Sequence, residues 1–447
     1  MSAHYARWHR RLSVVAGVSL LIWAGSGLLH PLMSWTNPRP AAMAPPPGER
    51  LSAVPRPLAE ILAEQDVPTV GFARLLVQDG ETLWQWASPD RQEWRYANAA
   101  DGSPRPQADV RRAEWLARYY SGEAVAAVAE LEHITAFNTG YPSVNRLLPV
   151  WKVRFERADG LTAYVHTGED RLGALNDRRK TVLLMLFQSL HTLHWLDGLE
   201  VLRVPLIAAA VLSVLAMTML GLLMIGTRRA RVDAPPLRRA HRRLAWIVWV
   251  PALMLGGSGL FHLMAQSPLR KALPPTAAAV PAAAVRMPAV SGTLDRATLI
   301  VLAGGLALWR LPDGDDNRWI DATGGSGLAL EEGVVAARLA GLPDGTPAAP
   351  QTGFSDEYGF ANKRLPVWRL EQGNGRVFVD LASGQIAARV SAVDVLEQQS
   401  FSALHKWQFL DPIGRGPRDA LLALSALALL VMTGIGLKLR GARRTSH

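Results

Sequence analysis

The sequence has no cysteine among its 447 residues. This absence excludes disulfide bonds, thiolate metal sites, iron–sulfur clusters and cysteine nucleophiles. Redox chemistry in this chain must therefore use a bound cofactor with other ligands. The chain has 11 histidines, and imidazole is the obvious substitute.

Several common functional motifs are also missing. No glycine-rich phosphate loop follows a strand, so a nicotinamide or flavin fold is not predicted. The sequence shows no zinc-protease helix motif, no ATP site and no recognisable Ser–His–Asp arrangement. The net charge of +10 would suit a nucleic-acid partner. The basic residues lie beside apolar runs, however, which is a topology signal, so no nucleic-acid partner is expected.

Four apolar runs are each long enough to cross a bilayer, which takes about 20 residues. They cover residues 12–33, 204–225, 244–264 and 418–439. Basic clusters flank one end of each run, at residues 1–11, 226–243 and 440–447. The positive-inside rule then predicts an inner-membrane protein with both termini cytoplasmic. The first run is too long for a signal-peptide core, so we expect no cleavage near residues 42–44.

The chain repeats itself. WHRRLSVVAGVSLLIWAGSGLLH (8–30) recurs without a gap as AHRRLAWIVWVPALMLGGSGLFH (240–262). RLLPVWKVRF and FQSLHTLHWLD of the first half match KRLPVWRLE and FSALHKWQFLD of the second. Each half starts on the same side of the membrane, so the repeat is parallel, with its pseudo-axis along the membrane normal.

The segments outside the membrane show an α+β pattern. We predict helices at 107–131 and 328–340, and strands at 150–156, 162–166, 367–371, 376–381 and 386–390. Pro/Ala-rich linkers at 37–47 and 273–288 precede these patterns. His133 and His166 stand alone here and are expected to be ordinary surface or hydrogen-bonded histidines.

LPVWRLEQGNGRVFVDLASGQI (365–386) resembles the PepSY module. Residues 148–175 resemble a degenerate copy, with His166 in place of the module's Asp. LHTLHWLDGLEVLRVPLIAAAVLSVLAMTMLGLLMI (190–225) and HRRLAWIVWVPALMLGGSG (241–259) resemble the PepSY-associated transmembrane family. The resemblance covers most of the chain, except the linkers and residues 51–106.

The resemblance implies a bundle of four transmembrane helices in two parallel repeats, with two extracytoplasmic α+β PepSY-like domains at 34–180 and 265–396. Interfacial segments at 181–203 and 397–417 would join domains to spans. The best-understood members of the family are inner-membrane ferric-siderophore reductases that carry haem in the bundle.

Seven histidines lie in or beside the membrane region: His9, His30, His191, His194, His241, His262 and His405. Six of them form matched pairs across the repeat, and Gln408 is the counterpart of His194. Ionisable residues near membrane helices are site candidates by default. Because imidazole is a standard axial ligand of haem iron, the six paired histidines predict bis-histidine b-type haem, two per chain.

Helix geometry limits the pairing. A rise of about 1.5 Å per residue separates His9 and His30 by about 31 Å, so they cannot bind one iron. The glycines and prolines at 198, 205, 412, 414, 416 and 417 predict breaks before the second and fourth spans. The segments with His191 and His405 would then follow the outer interface, where Trp195 and Trp407 are favoured.

Two arrangements follow, and the second suits a reductase better because it makes a transmembrane electron path. In one, His30 pairs with His405 and His262 with His191, at two symmetry-related outer haems. In the other, His9 and His241 hold one haem on the pseudo-axis near the cytoplasm, and a second haem lies at the outer side. Arg203 and Arg418 would pair with haem propionates. The alternative is that these histidines are interfacial cations or shared packing residues.

The first functional hypothesis is a haem-dependent reductase that passes electrons outward to a periplasmic ferric chelate of the siderophore class. Electrons would come from membrane quinol or from a partner protein. The second hypothesis is a non-enzymatic PepSY membrane protein that binds or restrains a periplasmic partner. A small transporter is disfavoured, because the spans carry almost no charge at mid-depth.

Overall fold

A computed structural model describes residues 2–49, 51, 55–227, 234–266, 278–287, 297–313 and 316–441. The helices are α1 (Ser2–Gly27), α2 (Leu29–Thr36), α3 (Leu58–Glu64), α4 (Ala108–Ser121), α5 (Arg178–His191), α6 (Glu200–Thr227), α7 (Pro236–Ala265), α8 (Glu332–Ala340), α9 (Ala392–Ser400) and α10 (Arg415–Gly441). The strands are β1 (Thr69–Val70), β2 (Phe72–Gln78), β3 (Glu81–Ala87), β4 (Arg95–Asn98), β5 (Val128–Ile134), β6 (Val150–Phe155), β7 (Thr162–His166), β8 (Arg171–Asn176), β9 (Val280–Pro281), β10 (Thr298–Val301), β11 (Ala307–Asp313), β12 (Asp316–Asp321), β13 (Gly327–Leu328), β14 (Ala348–Gln351), β15 (Val367–Gln372), β16 (Gly375–Asp380) and β17 (Gln385–Val390).

These elements belong to two units. The helical unit consists of Met1–Asn37, Arg179–Leu273 and Ala392–His447, and the sheet unit consists of Pro38–Arg178 and Pro274–Ser391. Parts of three predicted features lie outside the described residues: the basic loop at 228–233, the second linker at 273–277 and 288, and the C-terminal cluster at 442–447.

Four helices are long and apolar enough to cross a membrane, as the sequence predicts, and they fit a multi-pass membrane protein. They are His4–Thr36, Glu200–Thr227, Pro236–Ala265 and Arg415–Gly441. They pack as a ring, in which α1 and α7 each contact both α6 and α10. The repeat-related helices therefore occupy opposite corners. Small residues allow close approach: a Cβ on Gly256 would lie 2.9 Å from Leu215.

The predicted chain breaks before the second and fourth spans are present. After α5, a short 3₁₀ turn leads through Gly198, with φ of +87°, into α6. After α9, a π-helical turn (Phe401–His405) and a 3₁₀ turn lead through Gly414, with φ of +100°, into α10. Glycine adopts this left-handed region without steric cost.

Part of the predicted break was wrong. Pro205 and Pro417 lie inside α6 and α10, close to their first residues, rather than in the breaks. Proline is tolerated near a helix start because few intrahelical hydrogen bonds are lost there. Trp195 is exposed, as an interfacial residue should be, whereas Trp407 is buried.

One antiparallel sheet joins the two halves of the sheet unit. Its strand order is β13-β12-β11-β10-β2-β3-β4, and β10 pairs with β2 from Thr298 opposite Arg74 to Ile300 opposite Phe72. The indoles of Trp84 and Trp309 meet at 5.7 Å in its core. Sequence analysis assigned no structure to residues 51–106 or to the strands between 298 and 321, so this sheet was missed.

Each half adds a four-stranded antiparallel sheet, β5-β6-β7-β8 in the first and β14-β15-β16-β17 in the second. The predicted strands 150–156, 162–166, 367–371, 376–381 and 386–390 are all present within a residue or two. The predicted helix at 107–131 was too long, because Gly122 ends α4 with φ of +71° and 128–134 forms β5. The helix predicted from 328 begins only at Glu332.

A buried ion-pair cluster ties α4 and the β7–β8 turn to the central sheet. Asp170 lies in this turn and binds Arg74 at 2.9 Å and Arg112 at 2.7 Å. All three side chains are at most 6% exposed. Burial alone would raise the pKa of Asp170, but the charges of Arg112 and Arg74 outweigh it and hold that pKa well below its usual range.

Candidate functional site

Two histidines meet across the bundle near its basic end. His9 of α1 and His241 of α7 have ring centroids 6.4 Å apart and ring planes at 88°. Because imidazole nitrogen binds a first-row metal at about 2 Å, two imidazoles on opposite sides of one ion have centroids about 6 Å apart. The pair therefore has the spacing of a bis-imidazole site.

The surroundings of His241 leave one ring nitrogen available. Its Nδ1 lies 3.2 Å from the carbonyl oxygen of Met432. A carbonyl only accepts hydrogen bonds, so Nδ1 carries the proton and Nε2 keeps its lone pair for a metal. A Cβ at Gly436 would stand 3.2 Å from the same ring, so glycine gives the imidazole its room.

At the other end of the bundle, the chain breaks fold His191 and His405 back against α1 and α7. The Nδ1 of His191 lies 2.9 Å from Ser26 Oγ, and that of His405 lies 3.1 Å from Ser258 Oγ. The serine hydroxyls donate to backbone carbonyls one turn earlier, so each Oγ accepts from the imidazole. Both histidines thus present an unprotonated Nε2.

Each of these rings also rests on a phenylalanine. Phe187 stacks on His191 and Phe401 stacks on His405, both at 4.6 Å and 13°. The same serine and phenylalanine supports occur in both halves. The two halves therefore hold this histidine by the same two contacts.

The remaining two predicted ligands lie close by. His30, His262 and His405 are all near enough to His191 to interact with it electrostatically. The ring of His262 stacks on Phe401 at 4.2 Å. The structure therefore brings His191 and His405 to the same end as His30 and His262, as the predicted breaks require.

The other predicted site residues have partners of their own. His194 pairs with the carboxylate of Asp197 in the same short segment. Arg203 binds Glu200 at 2.7 Å, and its equivalent Arg418 binds Asp411 at 2.6 Å. The propionate role of both arginines stays a prediction.

The two histidines of the sheet unit are ordinary, as expected. The ring of His133 contacts that of Trp151, with centroids 4.8 Å apart and planes tilted by 40°. His166 is buried and accepts the backbone N–H of Glu169 at 3.1 Å, and burial lowers its pKa below the usual value. Asp380 accepts the equivalent turn hydrogen bonds in the second half, so His166 has taken over the role of that aspartate.

Each of α1 and α7 contains a Gly-Ser-Gly motif, at residues 25–27 and 257–259. From sequence, these small residues are expected to allow close packing of helices or clearance for a haem. A Cβ at Gly25, Gly27 or Gly257 would meet nothing within 4 Å, whereas one at Gly259 would lie 3.4 Å from His405. The serines between them are hydrogen-bond partners of the imidazoles, a role missed from sequence because the distant histidine is 165 or 147 residues away.

The described residues hold no group of three or more His, Cys, Asp or Glu side chains arranged for a metal ion. A spacing of 6.4 Å between the ring centroids of His9 and His241 is compatible with two axial imidazole ligands of one haem. No family model matches the chain, and no curated protein is similar to it.

Proposed function

We propose that this chain is a haem b-containing reductase of the bacterial inner membrane that passes electrons to a periplasmic ferric chelate of the siderophore class. The observation that carries the proposal is the His9–His241 pair, with ring centroids 6.4 Å apart inside a bundle of apolar helices. Two charged imidazoles would repel each other there, whereas two neutral ones suit a shared iron.

The chain offers residues for two haems. His9 and His241 would hold one, and His191 and His405 the other, with His30 and His262 as alternative ligands at that end. Bis-imidazole ligation supplies one-electron transfer when the haem is bound.

The supporting residues act as positioning groups. Ser26 and Ser258 accept from Nδ1, so they fix the ring orientation and raise the basicity of Nε2. The carbonyl of Met432 does the same for His241. The apolar helices around them exclude water.

The two sites lie far apart along the bundle. His9 and Ser26 are both on α1, so a rise of about 1.5 Å per residue separates them by about 25 Å. With the basic end in the cytoplasm, one imidazole site would lie near each face of the membrane. The resemblance of residues 148–175 and 365–386 to PepSY modules supports a role for the sheet unit in holding the chelate or shielding the haem.

The first test is a dithionite-reduced minus oxidised spectrum of the detergent-purified chain, with pyridine haemochrome quantitation. We expect a sharp b-type α-band and about two haems per chain, since each end of the bundle offers imidazoles from both halves. His9→Ala and His405→Ala should each remove about half of the haem, whereas His133→Ala should remove none.

A second test separates a reductase from a passive cytochrome. Addition of a ferric siderophore to the dithionite-free reduced protein should abolish the α-band as ferrous chelate forms. Protein without haem, expressed with ample haem supply, would reject the reductase and favour a non-enzymatic PepSY membrane protein that binds a periplasmic partner.

A further inference from the structure

The second half carries a polar cluster at the C-terminal end of α7. His262 Nδ1 lies 2.5 Å from Glu397 Oε1, and Gln266 Nε2 donates to Glu397 Oε2 at 2.9 Å. Glu397 is only 4% exposed. A buried carboxylate is costly unless it is hydrogen-bonded on both oxygens, and here the chain supplies both partners.

The first half has no such cluster. In the gapless repeat of α1 and α7, Ser34 stands where the second half has Gln266. In the segments FQSLH and FSALH, Leu183 stands four residues before the phenylalanine, where the second half has Glu397. The histidine itself is present in both halves. The carboxylate therefore serves a function that the repeated imidazoles do not need.

Lys406 adds a donor to the same place. It is close enough to Glu397 to interact electrostatically, and its ammonium lies 5.0 Å from the Phe401 ring centroid. Its counterpart in the first half is Thr192. His262, Gln266, Glu397 and Lys406, here called the α7-end cluster, thus combine a hydrogen-bond acceptor with several donors around an aromatic ring.

The α7-end cluster can be reached from outside the bundle. The side chain of His262 is 42% exposed, although its carboxylate partner is buried. The two helices that carry the cluster also expose apolar side chains, among them Met264 at 51% and Leu396 at 59%. Since α7 is long and apolar enough to span a membrane, a polar cluster exposed at its end suits a ligand whose polar ring is attached to an apolar tail.

We propose that the α7-end cluster binds the ring of a membrane quinol. This inference rests on the proposed function, for which quinol would be the electron donor. A quinol hydroxyl donates to the exposed edge of His262, whose Nδ1 is held by Glu397, the Lys406 ammonium contacts a ring oxygen, and the isoprenoid tail extends into the surrounding lipid. A phospholipid head group lacks a planar ring and is the competing occupant.

The test is photolabelling of the full-length purified protein with an azidoquinone, followed by peptide mapping. We expect saturable labelling of the peptides around His262 or Glu397, competed by decylubiquinone but not by phospholipid. Glu397→Leu, which installs the residue of the first half, should weaken labelling about ten-fold, because the buried acceptor is lost. The matched control Thr192→Ala in the first half should leave labelling unchanged.

Gln266→Ser provides a milder variant if Glu397→Leu fails to fold, and it should weaken labelling by a smaller factor. Equal labelling of both halves, unchanged labelling of Glu397→Leu, or competition by phospholipid would each overturn the quinol site. So would a haem α-band lost in Glu397→Leu, since Glu397 would then position His262 as a haem ligand. Labelling does not require haem. Quinone labelling of a protein that shows no α-band would therefore reject the proposed reductase but not the quinol site.

Discussion

Replacing Asp170 by asparagine should destabilise the sheet unit strongly. Asparagine has the same shape and tolerates the left-handed backbone of Asp170, whose φ is +53°. The substitution therefore removes the charge and turns one acceptor oxygen into an amide donor that faces a guanidinium group. The guanidinium groups of Arg74 and Arg112 then remain buried without their carboxylate. Breaking a buried ion pair in this way costs about 3–5 kcal/mol.

For a unit of about 260 residues, that loss lowers Tm by roughly 6–20 °C. The assay is thermal unfolding of the full-length protein in detergent, followed by intrinsic tryptophan fluorescence. The matched control is Asp159→Asn, because Asp159 pairs with Arg157 at 2.7 Å on the surface. Exposed ion pairs contribute about 0–1 kcal/mol.

The pH dependence supplies a second check. The pKa of Asp170 is lower in the folded protein than its unfolded value of about 3.9. Its carboxylate therefore stabilises the fold above that value, and the contribution is lost as pH falls toward the folded pKa. The Tm difference between wild type and Asp170→Asn should be constant from about pH 6 to 8 and should narrow below about pH 4. If Asp170→Asn and Asp159→Asn have the same Tm, the buried ion-pair cluster around Asp170 does not stabilise the sheet unit.

Two further predictions concern the serines that bind the imidazoles and the four-stranded sheet of the first half. Ser26→Ala and Ser258→Ala should retain haem but raise the midpoint potential or shift the α-band of the outer haem, because the hydrogen bond that makes Nε2 more basic is lost. Spectra unaltered in both variants would remove the serines from the site. Gly173→Ala should destabilise the protein by about 1–3 kcal/mol, because the new Cβ would lie 2.2 Å from the Tyr141 hydroxyl. Gly345→Ala, with open space around it, is the control, and equal melting of the two variants would contradict the clash.

The spans, the repeat and the hairpins could be predicted from sequence because each rests on a local pattern. Apolar runs of about 20 residues define the spans. Strand alternation around Gly160 and Gly373 defines the β6–β7 and β15–β16 hairpins, and the structure confirms both. The end of α4 was misplaced because Gly122 was passed over in favour of the apolar pattern that continues into β5.

The central sheet could not be predicted, because its joining strands β2 and β10 are more than 220 residues apart in the chain. The histidines of the candidate site could be identified from sequence because six of them recur at matching positions of the repeat. Their hydrogen-bond partners could not be identified in this way, since the contact of Ser26 with His191 is visible only in the structure. The haem itself and the ferric chelate stay predictions.

The pairing of β2 with β10 also constrains how the protein is made. Phe72 is synthesised 228 residues before its partner Ile300. At about 5–20 residues per second, β2 waits roughly 10–45 s with an open edge. Exposed strand edges template aggregation, so the first half is prone to aggregate until the second half has been synthesised. If the gene were split between the halves, each fragment alone should be prone to aggregate. Co-expression of the two fragments should restore the sheet.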